Sequence, residues 1–415
     1  MDLPIRLHEL DTRSDEYATR FVDVLLAAGR TSGASDLHLL PQRDGLSIHW
    51  RVDGVLQPIG VFPRPAASNV VARLKVLAEL LTYRTDIPQE GRIRDTTADG
   101  KGPPTAQSDM LEMRVSTFPT LHGEKAVVRI FAGGGAYSRL DELGLPDELY
   151  QRLSRLLTET SGALLVTGPA GSGKTTSVYA CLRQLVAQQA GRNIVSLEDP
   201  IEVAVPGVAQ SQINPSAGFD LAGGLKFLLR QDPEVIMVGE IRDPSTARTA
   251  FQGALTGHLV LSTFHAGSAA EAISRLSDMG IEPYLLRSGL LAILCQRLVR
   301  RLCRCALESR DPSSKLGLPV ARAWQPVGCD NCGGTGYRGR ALLAEMLAPD
   351  ASDVGRAILS RDDSARLEEL AIQAGMVNRW RRARDAVEAG VTSPAEIRRV
   401  MGFSDARGTE HEKEE

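Results

Sequence analysis

The residues Gly168-Pro169-Ala170-Gly171-Ser172-Gly173-Lys174-Thr175 fit the pattern G-x-x-x-x-G-K-[ST]. Small residues at these positions let successive backbone N–H groups turn inward around a di- or triphosphate. The helix that follows aims its positive end at the same anion. Lys174 adds a point charge near the outer phosphates, Thr175 offers a hydroxyl to Mg²⁺, and Thr176 completes the binding stretch. The bland alternative is a Gly-rich structural turn. Context speaks against it, because the apolar run from Gly162 to Thr167 predicts a buried strand before the loop and Thr176 to Val186 predicts a helix after it. The implied ligand is a nucleoside triphosphate.

Such a loop needs a metal partner and a group that positions the attacking water. Two acidic clusters stand where the ends of parallel strands would bring them beside it. One is Ser196-Leu197-Glu198-Asp199-Pro200-Ile201-Glu202; the other runs from Val235 through Gly239-Glu240-Ile241-Arg242-Asp243. Four apolar residues leading to an acid resemble a Walker B strand, with Glu240 where Asp is commoner. Glu240 is assigned to the Mg²⁺ shell, through water, and Glu198 to water activation. The alternative is that these acids cap helices or pair with surface arginines. His258 and His265 flank a further strand candidate. Each is either a core hydrogen-bonder or part of the site, where one of them, with His265 placed in the catalytic set, would sense the γ-phosphate.

Positioning these groups takes a mostly parallel sheet. Short apolar runs at Ala163–Thr167, Asn193–Leu197, Val235–Val238 and His258–Thr263 alternate with helical stretches, the rhythm of an α/β fold whose sheet is covered on both faces. A smaller α+β segment precedes it. Helices are predicted at Tyr17–Ala28 and Asn69–Leu81, a hairpin at 46–59 turning at Asp53-Gly54, and strands at Leu111–Thr117 and Ala126–Phe131 joined at Leu121–Gly123. Residues 1–20 are expected to be disordered or partner-dependent, 21–132 to form the N-terminal α+β domain, and 133–140, around Gly133-Gly-Gly135, to be a linker. Residues 141–403 would form the nucleotide-binding domain, including a segment at 300–340 and C-terminal helices. Residues 95–109 read as a surface loop and 404–415 as a charged, disordered tail.

With 415 residues, 43% hydrophobic and 24% charged, the chain has material for two or three ordinary globular domains. A net charge of −3 gives no electrostatic case for a nucleic-acid binder. No apolar run reaches membrane-spanning length; the most hydrophobic helix candidate, Leu285–Leu294, leads straight into Gln296-Arg-Leu-Val-Arg-Arg301. The first residues lack a signal-peptide core. Six cysteines are therefore expected as thiols or metal ligands, not disulfides.

Taken together these motifs resemble the secretion ATPases of type II secretion and type IV pilus assembly. The resemblance runs from Ala34 to Met401 and includes Ala34-Ser-Asp-Leu-His-Leu39, Arg51-Val-Asp-Gly54, Pro88-Gln-Glu-Gly-Arg92, Arg114 to Lys125, the phosphate loop, both acidic boxes, the histidine box and Cys329 to Gly339. It implies a RecA-like ATPase domain after a PAS-like α+β domain. It further implies a homo-hexameric ring that hydrolyses ATP at the cytoplasmic face of the bacterial inner membrane. There it would drive an inner-membrane platform protein that assembles pilin-like subunits, alongside a membrane-anchored docking protein. In this family N-terminal arginines reach the nucleotide across a domain or subunit boundary; the matching positions are Arg92 and Arg114, with Arg129 a further candidate. Phe264, Ala266 and Gly267-Ser268 depart from the family's usual Leu, Thr and Asn-Asp. The family's extra N-terminal docking domain is expected to be absent or reduced to a few residues.

Cys303, Cys305, Cys329 and Cys332 resemble the family's tetracysteine insert, which holds a structural Zn²⁺. The second pair is C-x-x-C before Gly333-Gly334; the first is C-x-C, tighter than the usual spacing, so four free thiols remain the alternative. Cys181 and Cys295 read as buried small apolar residues. Arginines 297–304 and 379–384 read as solvated helix faces paired with acids such as Asp385 and Glu388, or as contacts for acidic lipid or a partner. Rival functions are a retraction motor, which in this family lacks the cysteine insert, a nucleic-acid translocase, and a scaffold that only binds nucleotide.

Overall fold

The computed structural model describes residues 3–63, 65–94, 112–130, 139–188, 191–349 and 352–403. The chain divides into two units, Met1–Ala136 and Tyr137–Glu415. The expected linker around Gly133–Gly135, the loop at 95–109 and the tail at 404–415 lie outside the described residues, as do Leu111 and Phe131 of the predicted strands.

In the first unit, helices α1 (Leu3–His8) and α2 (Tyr17–Thr31) precede strands β1 (Asp36–Gln42), β2 (Gly45–Val52) and β3 (Val55–Phe62). Helix α3 (Pro65–Leu77) and strands β4 (Gln89–Arg94), β5 (Glu112–Thr120) and β6 (Gly123–Ile130) follow. Residues 3–8 depart from the expectation for the N-terminus. They form a helix because Leu3 and Leu7 have a core to enter, joining Phe21, Leu25 and Phe62. The six strands form one antiparallel sheet in the order β3-β2-β1-β6-β5-β4. Leu37, Val128 and Val115 alternate into the core. Residues one step away point to the opposite face, since a strand's side chains alternate. Register then lines up Arg51, Asp36, Arg129, Arg114 and Arg92 as one row across five strands.

The second unit contains α4 (Asp147–Leu156), β7 (Gly162–Thr167), α5 (Lys174–Ala187), β8 (Ile194–Glu198), β9 (Ala209–Gln212), α6 (Leu221–Leu228) and β10 (Val235–Val238). Next come α7 (Pro244–Leu255), β11 (Leu259–Phe264), α8 (Ala269–Asp278), α9 (Pro283–Gly289) and β12 (Leu290–Leu302). Short strands β13 (Leu307–Ser309) and β14 (Ala323–Gln325), then β15 (Tyr337–Leu347) and helices α10 (Ser352–Ser360), α11 (Ser364–Gln373), α12 (Arg379–Glu388) and α13 (Pro394–Met401), complete it. Its seven-stranded sheet runs β15-β12-β7-β11-β10-β8-β9, parallel except for β15. Alternate residues of β7 feed two cores. Ala163 and Leu165 join α6, α7, α8 and α9 on one face; Leu164 and Val166 join α4 and α5 on the other. Burial on both faces explains why these strands read as continuous apolar runs. This is the doubly covered, mostly parallel α/β architecture expected.

One element differs from the sequence reading. Leu285–Leu294 is not a helix: α9 ends at Gly289, and Leu290 opens a thirteen-residue strand between β7 and β15. Apolar runs in a sheet interior carry no period that separates strand from helix. Arginines 297–301 therefore sit on a strand, where Arg300 forks onto buried Glu396 and lies 3.9 Å above the Tyr337 ring. In the second cluster Arg381 pairs with Asp385 on α12, whereas Arg379 bonds to Glu345 and Glu368 and Arg382 to Glu148.

Candidate functional site: a phosphate loop at the carboxyl edge of the sheet

Four parallel strands run level through Leu165, Ser262, Val238 and Leu197. Just beyond that line β7 gives way to Gly168, β11 to His265, β10 to Gly239-Glu240, and β8 ends at Glu198. Crevices beyond the carboxyl ends of parallel strands are where such sheets bind ligands.

The loop between β7 and α5 depends on its glycines. Gly168 has φ 147° and Gly173 φ 85°. A Cβ on Gly168 would lie 2.4 Å from the Gln296 carbonyl oxygen and 2.6 Å from Ser172 Oγ, so only glycine fits there. Gly173 immediately precedes α5, so the helix dipole points into the loop. Lys174 is 9% exposed. Its ammonium donates to the Gly168 oxygen at 3.0 Å and the Pro169 oxygen at 2.9 Å. Burial pulls its pKa below the usual lysine range, and the Glu240 charge offsets this only in part. Thr175 follows at the start of α5, partly exposed.

Glu240 stands beside this lysine. One oxygen lies 2.7 Å from His265 Nε2 and the other accepts from Arg242 Nε. Thr263 Oγ1 donates to the Gly239 oxygen at 2.7 Å and the Ile241 N–H to the Thr263 oxygen at 3.0 Å, so β11 fixes the Glu240 turn. His258 lies at the opposite end of β11, where Nδ1 is 2.9 Å from the Gly253 oxygen. The structure thus brings His265 to the site and leaves His258 out.

Glu198 closes β8. Its carboxylate is 2% exposed and accepts from Tyr179 OH at 2.5 Å, Ser196 Oγ at 2.5 Å and Gln210 Nε2 at 3.0 Å. Tyr179 sits five residues into α5, about 7 Å along the helix from its phosphate-facing end. Three donors and burial under α5 make Glu198 a tie between α5 and β8. Sequence reasoning missed its partners and also Gln296, whose amide bonds to the loop. The available signal was a lone carboxamide after six apolar residues in β12.

The four cysteines converge at the base of the β12–β15 pair. Their sulfurs lie within 4.8 Å of one another, with Cys303–Cys329 at 3.8 Å, Cys305–Cys332 at 3.9 Å and Cys329–Cys332 at 3.8 Å. A Zn–S bond of about 2.3 Å places tetrahedral sulfurs about 3.8 Å apart, so the set fits zinc. The Cys332 thiol, despite burial that opposes it, is drawn down to about 6 by the N–H groups of Cys329 and Gly336. Cys181 and Cys295 are buried, and burial pushes both thiols up to about 12.

Arg114 Nε lies 2.6 Å from Glu90 Oε1, and Arg129 Nε 3.0 Å from Asp36 Oδ1. Arg92 is directly opposite Arg114. No helix among the described residues is long and apolar enough to cross a membrane.

Residues 11–399 match a family model described as Type II/IV secretion system protein. The type II secretion system protein E of Klebsiella pneumoniae is 40% identical over 404 residues, covering 96% of this chain and 79% of that protein. The type IV pilus assembly ATPase PilB of Thermus thermophilus is 36% identical over 379 residues, or 89% of this chain; the chain spans 41% of that longer protein. Among solved structures, the Legionella pneumophila ATPase DotB superposes with a TM-score of 0.66 at 20% identity, over 91% of this chain and 94% of that one. That likeness is one of fold.

Proposed function

This chain belongs to the Type II/IV secretion system protein family, of ATP-hydrolysing P-loop ATPases, and we propose that it is a ring motor that powers assembly of a pilin-like fibre. The fibre would serve protein secretion or pilus building, through an inner-membrane platform protein. The observation that carries this reading is the convergence of Lys174, Glu240 and His265 at the carboxyl edge of one sheet.

ATP would lie with its phosphates against residues 168–176. Lys174 neutralises the outer phosphates, and the N–H groups around Gly173 donate to them. Thr175 and Glu240 would hold Mg²⁺, which would supply positive charge to offset that of the phosphates. We assign water orientation to Glu240 rather than Glu198, because its charge acts on Lys174 and its carboxylate has His265 and Arg242 as neighbours. Arg92 and Arg114, from the first unit of the same or a neighbouring subunit, supply transition-state charge when the ring closes. A structural Zn²⁺ on Cys303, Cys305, Cys329 and Cys332 speaks for an assembly motor over a retraction motor. The working form is a hexamer on the inner face of the inner membrane, with a docking protein as a second candidate partner and no nucleic acid.

The test is phosphate release by the wild-type chain with Mg²⁺ and ATP, beside Lys174→Ala. Turnover is expected in the first and lost in the second. Absence of ATP binding by the folded wild-type chain overturns the reading. Stimulation by DNA that disappears at high salt would favour a translocase instead.

A further inference from the structure

Gln296 is 1% exposed, and a buried carboxamide must find partners for both its ends. Gln296 uses both on the phosphate loop and the helix behind it. Its Nε2 donates to the Ser172 carbonyl oxygen at 2.8 Å, and its Oε1 accepts from Ser177 Oγ at 3.0 Å. In a planar trans peptide the C=O and the following N–H point in opposite directions. Pinning the Ser172 oxygen onto β12 therefore turns the Gly173 N–H away from that strand, into the hollow of the loop. Gly173 adopts φ 85°, and a Cβ there would come within 3.3 Å of Gln296 Nε2. The Ser172 carbonyl can only accept, so it must face Nε2. That leaves Oε1 to accept from the hydroxyl of Ser177, on the first turn of α5, which braces the amide from the other side.

We propose that Gln296, braced by Ser177, is a positioning residue for nucleotide binding, setting the Ser172–Gly173 peptide so that the Gly173 N–H meets a phosphate. This rests on the reading of the loop as a triphosphate site. Gln296 touches no reacting atom; it acts through the peptide it holds. A merely structural brace between β12 and α5 would make the same two bonds, but cutting them would lower thermal stability without changing nucleotide affinity.

The test uses the full chain with Gln296→Met, Gln296→Glu and Ser177→Ala. ADP and ATP affinity is measured by calorimetry with Mg²⁺, KM and kcat by phosphate release, and thermal unfolding without nucleotide. Gln296→Met keeps the volume and removes the donor, so affinity should fall about five- to tenfold, the worth of one hydrogen bond, with KM moving more than kcat. Gln296→Glu keeps an acceptor for Ser177 but adds a negative charge near the phosphates, and should bind more weakly still. Ser177→Ala deletes a single hydroxyl; it serves even if the Gln296 variants do not fold, and should weaken binding about two- to fivefold. Wild-type nucleotide affinity in every folded variant overturns the proposal alone. A wild-type chain that bound no nucleotide would overturn the triphosphate reading with it.

Discussion

His265 Nε2 lies 2.7 Å from Glu240 Oε1, tying the residue after β11 to the turn after β10 at the mouth of the phosphate loop. Glu240 thus has His265 beside one oxygen and Arg242 bonded to the other. A pre-oriented carboxylate can accept a proton from water with little rearrangement, and such groups contribute about 10²–10⁴ in rate. Glu240→Gln should still bind ATP, with less help from Mg²⁺, and lose hydrolysis by about that factor. Glu198→Gln, in contrast, replaces one acceptor of the Tyr179–Ser196–Gln210 cluster by a second donor. It should cost about 1–3 kcal/mol of stability, with a smaller effect on kcat in the molecules that remain folded. Single-turnover kinetics and thermal melts of both variants check this. A Glu198→Gln protein as stable as wild type but inactive would return the water-orienting role to Glu198.

The phosphate loop and the acids at strand ends were legible because each is local: a few consecutive residues carry the glycines, the lysine and the apolar run before them. The Gln296–Ser172 bond joins residues 124 positions apart, and only the pairing of β12 with β7 brings them together. The same pairing turned Leu290–Leu294 into a strand, because an apolar run has no period to declare its state. Glu198 was legible as a carboxylate at a strand end, but not as a buried one. Its burial comes from Tyr179 and Gln210, which have no sequence relation to it. The row of Arg51, Arg129, Arg114 and Arg92 is likewise a product of register.

Arg114 is paired with Glu90 at 2.6 Å, yet the two side chains are 37% and 53% exposed. Exposed ion pairs are worth about 0–1 kcal/mol, so Arg114 can exchange Glu90 for a phosphate at little cost. An arginine supplied to the site is worth about 10³–10⁵ in rate. Arg114→Ala should therefore lose turnover while keeping ATP affinity. Mixing Arg114→Ala chains with Lys174→Ala chains distinguishes the source of the arginine. If a neighbour supplies it, some mixed sites combine an intact Lys174 with an intact Arg114, and phosphate release returns. No recovery in demonstrably mixed rings means that the arginine acts within its own chain.

The cysteine cluster closes the segment between β12 and β15, where the Cys303 N–H donates to the Gly336 oxygen at 2.9 Å. Beyond it Trp324 packs on Gly390, whose Cβ position is 3.0 Å from the indole. Leu318 and Val320 of this segment join a small core with Val387 and Ile397, so zinc would chiefly order the turns that carry the cysteines. Structural zinc contributes about 10–16 kcal/mol in small domains at neutral pH. One zinc per chain is expected by elemental analysis. A strong chelator should expose the four thiols to a colorimetric reagent and lower the melting temperature, while Cys329→Ser should abolish the bound metal. Unchanged melting after complete metal removal would argue for four free thiols with no structural metal.

Glu396 on α13 is fully buried and accepts from the Arg300 backbone N–H at 2.9 Å, from Arg300 Nη2 at 2.7 Å and from Arg399 Nη2 at 2.6 Å. Burial alone pushes its carboxyl up; the hydrogen bonds from Arg399 and Arg300 outweigh that and hold it below the usual glutamate range. The native state thus binds this proton less readily than the unfolded state, whose glutamate titrates near about 4.3. Stability from this group is fully present above that value and is lost as pH falls through the lower, folded value. Melting temperature should therefore drop on acidification below about pH 4.3, and Glu396→Gln should melt lower at neutral pH but with a shallower acid slope. Because Arg300 continues β12 from Gln296, the same melts followed with bound ADP should show whether loosening α13 reaches the phosphate loop. An acid slope identical in wild type and Glu396→Gln would locate the titrating group elsewhere.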